Sequence, residues 1–304
     1  MLARYARRFL FIEFAIYGLA AATLHELGLV WPATLAVIAG FAILARCVGV
    51  GATFIVAAAL STSAERAQTA RHGRLRLVAA EILWTTLTFS VLMPFPRMFS
   101  RPDSCLPANP ATMPVLLVHG YVCNGGIWAS MRRFLERVGV PTYTHDLEPV
   151  YASIDEYSAG LAARIEDICG RTGAQRLVIV GHSMGGLAAR AYLRAQGPAR
   201  VAKLITLGTP HHGTRTAPLG LGANARQMEP RSVWLESLAR GESSAAAAVP
   251  VTSIYSSDDN VIVPRESSVL DDAKNVRLSG IGHVSLAFSA PVRDMVLAEI
   301  AAAG

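Results

Sequence analysis

Charge is scarce in this 304-residue chain. Asp, Glu, Lys and Arg together make up 16 % of it, against about 25 % in ordinary globular proteins. Hydrophobic residues make up 52 %, and the mean hydropathy is +0.36. This excludes a disordered chain, a collagen-like repeat and a charged coiled coil. Cysteine is scarce as well, and four in the whole chain exclude a disulfide-dense small scaffold. No recognisable RNA- or DNA-binding motif occurs. The basic residues are not interleaved with aromatics as a base-stacking surface would need, so no nucleic-acid partner is expected. His211 and His212 are adjacent, which by itself makes a poor metal site. No metal and no cofactor are expected.

The charge that is present is unevenly placed. Residues 1–100 carry nine arginines against Glu13, Glu26, Glu65 and Glu81, whereas the remainder is almost neutral. The same first third holds three long apolar stretches: 9–24, continuing weakly to Val30, then 33–60 and 77–95. A bilayer-crossing helix needs about 20 mostly apolar residues, and each stretch can supply them. A cleaved signal peptide would have one such stretch, not three. Arg4, Arg7 and Arg8 precede the first, Arg66, Arg71, Arg74 and Arg76 follow the second, and the turn between the two has no Lys or Arg. The positive-inside rule then puts the N-terminus and the 61–76 loop in the cytoplasm. Three crossings predict a multi-pass protein of the inner membrane with everything after residue 97 on the periplasmic side. An even number, as from a re-entrant second stretch, would place it in the cytoplasm. Glu13, Arg46 and Glu81 would each cost roughly 2.5–3.5 kcal/mol at membrane depth, so they are expected to pair with one another or to line a polar pocket.

The organisation read from this is a transmembrane helical region over 1–97, a Pro-rich linker over 98–112, and one α/β domain over 113–304. In the last part, apolar runs at 114–118, 141–145, 176–181, 203–207, 250–255 and 275–279 alternate with helical patterns at 126–138, 154–170, 184–196, 231–240 and 286–302. Strict alternation with near-continuous apolar strands predicts a parallel sheet with helices on both faces. Ligands on such sheets bind at the carboxyl ends of the strands.

At one such end stands Gly181-His182-Ser183-Met184-Gly185-Gly186. Serine is a poor nucleophile unless it is exposed on a tight turn beside a base, and G-x-S-x-G between strand and helix supplies that turn. Ser183 is the candidate nucleophile. His119-Gly120-Tyr121 follows the first strand, so the N–H groups of Tyr121 and Met184 are the candidate oxyanion donors. His119 itself is read as a loop-ordering residue. The base and its acid should follow the serine in the order acid, then His. His283 ends Ser279-Gly280-Ile281-Gly282-His283 after the last strand, and Asp258 and Asp259 end the strand at 250–255. Either carboxylate could orient His283, with Asp271 and Asp272 as fallbacks.

These motifs make residues 112–302 similar to the bacterial lipases and esterases of the α/β-hydrolase superfamily. The resemblance rests on His119-Gly120-Tyr121, Leu147-Glu148-Pro149 followed by Ser153-Ile154-Asp155, the serine motif, Gly208-Thr209-Pro210-His211-His212-Gly213-Thr214, and the Asp259 and His283 segments. It implies an α/β-hydrolase fold and the triad Ser183, Asp259, His283. In those lipases the catalytic Asp precedes a short apolar run, and Asp259, directly before Asn260-Val261-Ile262-Val263, matches better than Asp258. It also implies an ester or lipid substrate cleaved through an acyl-enzyme. Alternatives are an acyltransferase or thioesterase with the same triad, or a non-catalytic binding module. The acidic calcium ligand of larger bacterial lipases has no counterpart at Thr214-Arg215-Thr216-Ala217. His211 and His212 are expected near the mouth of the site. The 215–248 stretch, with Val233, Trp234, Leu235 and Leu238, is either a small lid or a plain surface helix. A periplasmic domain would make Cys105–Cys123 the natural disulfide. Neither the oligomeric state nor the chain length of the acyl group follows from the sequence.

Overall fold

The computed structural model describes residues 1–67, 73–106, 112–242 and 249–304. Residues 107–111 of the linker segment and 243–248 of the lid candidate lie outside them. The core is a six-stranded, wholly parallel sheet in the order β2-β1-β3-β4-β5-β6. Its strands are β1 (Val115–Val118), β2 (Thr142–His145), β3 (Leu177–His182), β4 (Val201–Leu207), β5 (Val251–Ser256) and β6 (Lys274–Leu278). All six strands expected from the apolar runs are present. β1 and β3 are buried along their whole length, which is why they read as continuous rather than alternating apolar runs. The chain leaves β1 for β2 and returns on the other side of β1 as β3. The strand order therefore reverses beside β1, and the loops after β1 and β3 open into that crevice.

Helices cover both faces. On one lie α7 (Glu156–Thr172), α8 (Met184–Gln196) and α10 (Val233–Glu242), the last preceded by the short α9 (Gly222–Gln227); on the other lie α6 (Ala129–Arg137) and α11 (Ala290–Ala301). In α7 the buried Tyr157, Leu161, Ile165 and Ile168 recur every three or four residues, the spacing of one helical face. Gly173 ends the helix at φ +74°, where a side chain would be strained. α8 is buried from Met184 to Leu193, helped by its small Gly and Ala residues. The expected helix at 126–138 is divided. Asn124 accepts the Gly126 N–H at 2.9 Å and caps a short turn over Gly125–Trp128, after which α6 begins. The helix expected from 286 begins later, at Ala290, with a proline in its first turn.

The N-terminal third contains α1 (Leu2–Glu26), α2 (Trp31–Leu60), the short α3 (Ser63–Ala67), α4 (Arg74–Leu87) continued by a π-helical turn over Thr88–Leu92, and α5 (Pro96–Phe99). By length and composition Leu2–Glu26, Trp31–Leu60 and Arg74–Leu92 are each apolar enough to cross a membrane. Their settings differ. α1 and α2 form an antiparallel hairpin that bonds the α/β domain at the end away from the 27–30 turn. Met1 and Leu2 bond Glu148, Thr53 bonds Asn260, and the Leu60 carbonyl accepts from Arg215. Phe11, Phe14, Leu19, Leu35 and Phe41 along the hairpin are exposed. α4 instead lies between α2 and the α/β domain, meeting the latter at the turn over Val284–Ala287. Trp84 stacks on Phe288 with ring centroids 4.4 Å apart, and Leu92 and Met93 join the core beside Ile127 and Trp128. Leu75, Leu83 and Met98 remain exposed.

Glu299 on α11 fastens three strands at once. Its carboxylate pairs with Lys203 of β4, meets Lys274 of β6 at 2.6 Å and accepts from Thr252 of β5 at 2.8 Å. Burial would raise its pKa, but the two ammonium groups and Thr252 outweigh that and hold it down at about 2. Replacing it with Ala should leave Lys203 buried and unpaired and cost roughly 3 kcal/mol, read as a fall in Tm. Because the folded-state pKa is depressed, the Glu299 contribution is present in full above the usual carboxylate range and fades as pH falls towards 2. The Tm gap between wild type and Glu299→Ala should therefore narrow on acidification, and a gap that is constant with pH would contradict this.

Candidate active site

Ser183 sits between β3 and α8 at φ +54°, ψ −128°, a conformation that costs a non-glycine residue about 1–3 kcal/mol. Several bonds enforce it. The Ser183 N–H donates to the Leu207 carbonyl at 2.9 Å, and its own carbonyl accepts from Gly186 N–H at 3.1 Å and Thr209 Oγ1 at 2.8 Å. The flanking glycines are required by space. A Cβ on Gly181 would stand 2.6 Å from the Gly186 nitrogen, one on Gly120 would stand 2.7 Å from Ser183 Cβ, and one on Gly185 would run into the Val118 and His119 carbonyls.

His283 and Asp259 come together, and Ser183 and His283 line one cavity. His283 Nδ1 lies 2.7 Å from Asp259 Oδ2, so Nδ1 carries the proton and Nε2 is left to act. Asp259 is itself fixed by the N–H groups of Val261 (2.7 Å) and Ile262 (2.8 Å) on its other oxygen. Burial would raise the Asp259 pKa, but the His283 charge and these hydrogen bonds hold it below the ordinary value. Burial would lower the His283 pKa, but the Asp259 carboxylate, with a smaller contribution from Glu81, raises it above the ordinary value. Asp258 points elsewhere and accepts the Gly280 N–H at 2.7 Å, tying the loop after β5 to the loop after β6. Asp271 and Asp272 are exposed.

The His283 loop is held from three directions. His182 Nε2 bonds the His283 carbonyl at 3.0 Å, and burial drives the His182 pKa down to about 3, so this imidazole stays neutral. Asn260 Oδ1 accepts the His283 N–H at 2.9 Å, while Asn260 Nδ2 donates to Thr53 on α2 at 2.7 Å. The third hold is Glu81 on α4, fully buried. It accepts from Val284 N–H (2.8 Å), Ser285 N–H (3.0 Å) and Ser285 Oγ (2.6 Å). Glu81 stood out in the sequence only as a lone charge in an apolar stretch. Its partners lie 203 and 204 residues away, beyond anything that spacing could reveal.

The loop after β1 completes the setting. His119 accepts the Leu147 N–H on Nε2 at 2.9 Å and bonds the Gly120 carbonyl through Nδ1 at 2.9 Å, an ordering role. Tyr121 lines the cavity, and Met184 is the first residue of α8, where an N–H has no intrahelical partner. Asn124 Nδ2 donates to the Met93 carbonyl at 2.9 Å, fastening this loop to the end of the π-helical turn. The cavity has a volume of about 650 Å³ and is lined on the domain side by Gly120, Tyr121, Ser183 and His283, and on the other side by residues of α1, α2 and α4.

Several expectations do not hold. His211 and His212 are not at this mouth. His211 is buried between Arg190 (3.1 Å) and Thr206 (3.1 Å), and both histidines line a separate pocket beside α10. Of the two readings open for 215–248, α10 matches the plain surface helix: Leu235 and Leu238 are buried against α8, and none of its residues lines the cavity. Cys105 and Cys123 are free, one exposed and the other buried, with burial pushing the Cys123 thiol up to about 12. Among the described residues no three His, Cys, Asp or Glu side chains are grouped to hold a metal ion.

Comparison with known proteins agrees with this architecture. Residues 113–230 match the family described as the alpha/beta hydrolase fold. Over 112 residues the chain is 32 % identical to a triacylglycerol lipase of Pseudarthrobacter phenanthrenivorans, covering 34 % of this chain and 35 % of that protein. It is likewise 32 % identical over 112 residues to a triacylglycerol lipase of Burkholderia plantarii, covering 34 % and 31 %. The matched region thus spans about a third of either relative. The mature Bacillus licheniformis lipase superposes with a TM-score of 0.58 at 18 % identity, covering 65 % of this chain and 95 % of that one. Aspergillus fumigatus lipase B gives 0.56 at 18 % identity, with 70 % and 58 % covered. At those identities the likeness speaks for the fold alone.

Gly185→Ala should force α8 away from β1 and lower stability by about 1–3 kcal/mol. Gly170→Ala, inside α7 with open space around it, should be neutral or stabilising. Thermal melts of the two variants side by side check this, and equal Tm values would overturn the packing argument.

Proposed function

We propose that this protein, whose globular part has the α/β-hydrolase fold, is a membrane-held serine hydrolase of carboxylic esters. The observation that carries the reading is Ser183 on its strained turn, in one cavity with a His283 imidazole already oriented by Asp259. In the reaction, Ser183 Oγ attacks the acyl carbonyl as His283 Nε2 takes its proton. The N–H groups of Tyr121 and Met184 receive the negative charge that develops on the carbonyl oxygen, each such donor being worth about 10²–10³ in rate. His283 returns the proton to the leaving alcohol, and the acyl group remains on Ser183. Water, deprotonated by the same imidazole, then releases the acid. Asp259 keeps the imidazole tautomer and stabilises the imidazolium. Triacylglycerol lipases among the relatives and the apolar cavity favour lipid or other acyl esters as substrates.

We further propose a two-crossing topology, in place of three crossings with a periplasmic domain. α1 and α2 form a hairpin whose turn lies far from the α/β domain, while α4 stays on that domain through Glu81, Trp84 and Met93. The domain then lies on the side of the N-terminus, beside Arg4, Arg7, Arg8, Arg66, Arg74 and Arg76, which is the cytoplasmic side by the positive-inside rule. A green fluorescent protein fused after residue 304 should fluoresce in a Gram-negative host, and alkaline phosphatase fused there should be inactive. An active phosphatase would restore the three-crossing arrangement.

Ser183→Ala should lower p-nitrophenyl butyrate hydrolysis by the detergent-solubilised chain about 10⁴-fold or more. Retained activity would sink the nucleophile assignment. Because the base must be neutral and its pKa is raised, kcat/KM should rise with pH through a limb above the ordinary histidine value. Glu81→Ala should lower kcat about 10²-fold through misplacement of the His283 loop. It should also move that limb to lower pH, since a negative charge near the imidazole is gone. Glu81→Gln, which keeps an acceptor oxygen, should recover part of kcat and none of the limb shift. A limb that stays put in both variants would reduce Glu81 to a purely structural residue.

A further inference from the structure

The three N-terminal helices build one wall of the site, and the cavity they enclose has the form of a compartment for a hydrocarbon chain. Its lining runs along α1 from Leu2 through Phe9 to Glu13, and along α2 from Thr53 back to Arg46. Those are the halves of the hairpin that adjoin the catalytic loops. At 1.5 Å per residue the α1 portion is roughly 16 Å long, close to half of the ~30 Å hydrocarbon thickness of a bilayer. The far end is closed by polar groups. Arg46 Nη2 meets Glu13 Oε2 at 2.7 Å, and the Tyr17 hydroxyl donates to Glu13 at 2.6 Å. Outside, the same helices present Phe11, Ile12 and Val48 as exposed apolar surface.

We infer that this compartment receives the acyl chain of an ester lipid resident in the membrane leaflet on the N-terminal side. The chain enters from the bilayer, its ester beside Ser183 and its methyl end towards the Glu13–Arg46 pair. The inference rests on the proposed serine hydrolase reading. The lining is apolar along the chain's path, the length matches one leaflet, and the polar closure stands where the midplane would fall. A bilayer lipid placed with its headgroup near Arg4 and Arg7 therefore has its ester and its chain at the two ends of one continuous space. A water-soluble ester would have no use for walls supplied by membrane helices.

Gly49 offers the test. It lines the compartment, and a Cβ there would meet nothing within 4 Å, so a phenyl ring introduced at this position would project into free volume. In the full detergent-solubilised chain, Gly49→Phe should lower kcat/KM for p-nitrophenyl palmitate relative to p-nitrophenyl butyrate by at least tenfold. Using the ratio cancels any general loss from misfolding. Val48→Phe, on the exposed face, should leave the ratio unchanged. An unchanged ratio in Gly49→Phe overturns the compartment. In a second experiment the protein is reconstituted in phosphatidylcholine vesicles, with a fluorogenic long-chain ester lipid placed either in the same vesicles or in separate ones. Turnover only in the first case supports entry from the bilayer, and equal turnover in both overturns it. Labelling of Ser183 by a short fluorophosphonate stands apart from both: its failure counts against the hydrolase reading, whereas labelling with an unchanged ratio counts against the compartment alone.

Discussion

The Glu81 carboxylate is the contact on which the two halves of this protein depend. It is fully buried, and it accepts three hydrogen bonds from two consecutive residues that follow His283 directly. Taking a carboxylate out of water costs several kcal/mol. The three donors offset part of that cost, and each bond is strengthened by the charge it meets. The arrangement is therefore all or nothing. Without α4 the loop carrying His283 would present unpaired N–H groups, and without that loop α4 would carry a buried charge with no partner. Gly282 has room for no side chain there, since a Cβ would run into the Glu81 carboxylate.

Fixing α4 in this way constrains everything before it. α4 is held on the α/β domain by Glu81 and by the stacked Trp84, and it packs on α2 as well. Arg7 makes the same point from the other side. Its guanidinium donates to the Pro94 carbonyl at 2.7 Å, so the far end of the α4 segment comes back to the beginning of α1 rather than to the hairpin turn. Leu75, Leu83 and Met98 remain as exposed apolar side chains on this segment.

What was legible in the sequence was what is written locally. The strands are continuous apolar runs, the turn at Ser183 needs glycine on both sides, and the β5 loop carries its carboxylates beside a run that becomes its own clamp through Val261 and Ile262. Asn260, Thr53 and Glu81, which hold the His283 loop, act across long separations. Asn260 reaches Thr53 over 207 residues, and no periodicity marks such a pair. The third apolar stretch is, as expected, long and apolar enough to cross a membrane, and what hydropathy leaves out is its contact with the domain. Hydropathy records that 77–95 avoids water, but a helix sandwiched between a protein domain and lipid avoids water as well as one that crosses. Glu81 was the visible conflict, and its resolution lay in the domain rather than in the bundle. The sequence left the helix with Trp234 open between a lid and a plain surface helix; α10 is the latter, packed on α8, and the cavity wall comes from the N-terminal helices.

The division of labour between the two halves has a physical logic. The sheet supplies what must be rigid: a strained serine, an imidazole with one tautomer, a carboxylate with its lone pairs already satisfied. Such geometry demands a close-packed interior, which α7, α8, α6 and α11 provide. The helices supply what must be apolar and open to the side. In a soluble hydrolase an exposed apolar wall of that size would be an aggregation liability. On the proposed membrane reading the outer faces of α1 and α2 would lie in lipid, and the wall would stay hydrophobic on both sides without a mobile lid to hide it from water. The Glu13–Arg46 pair fits the same logic. An ion pair inside the hairpin can neutralise itself at a depth where either charge alone would be costly. It gives the two helices a fixed register, and with it a fixed position for Thr53 beneath Asn260 and so for the backbone of His283.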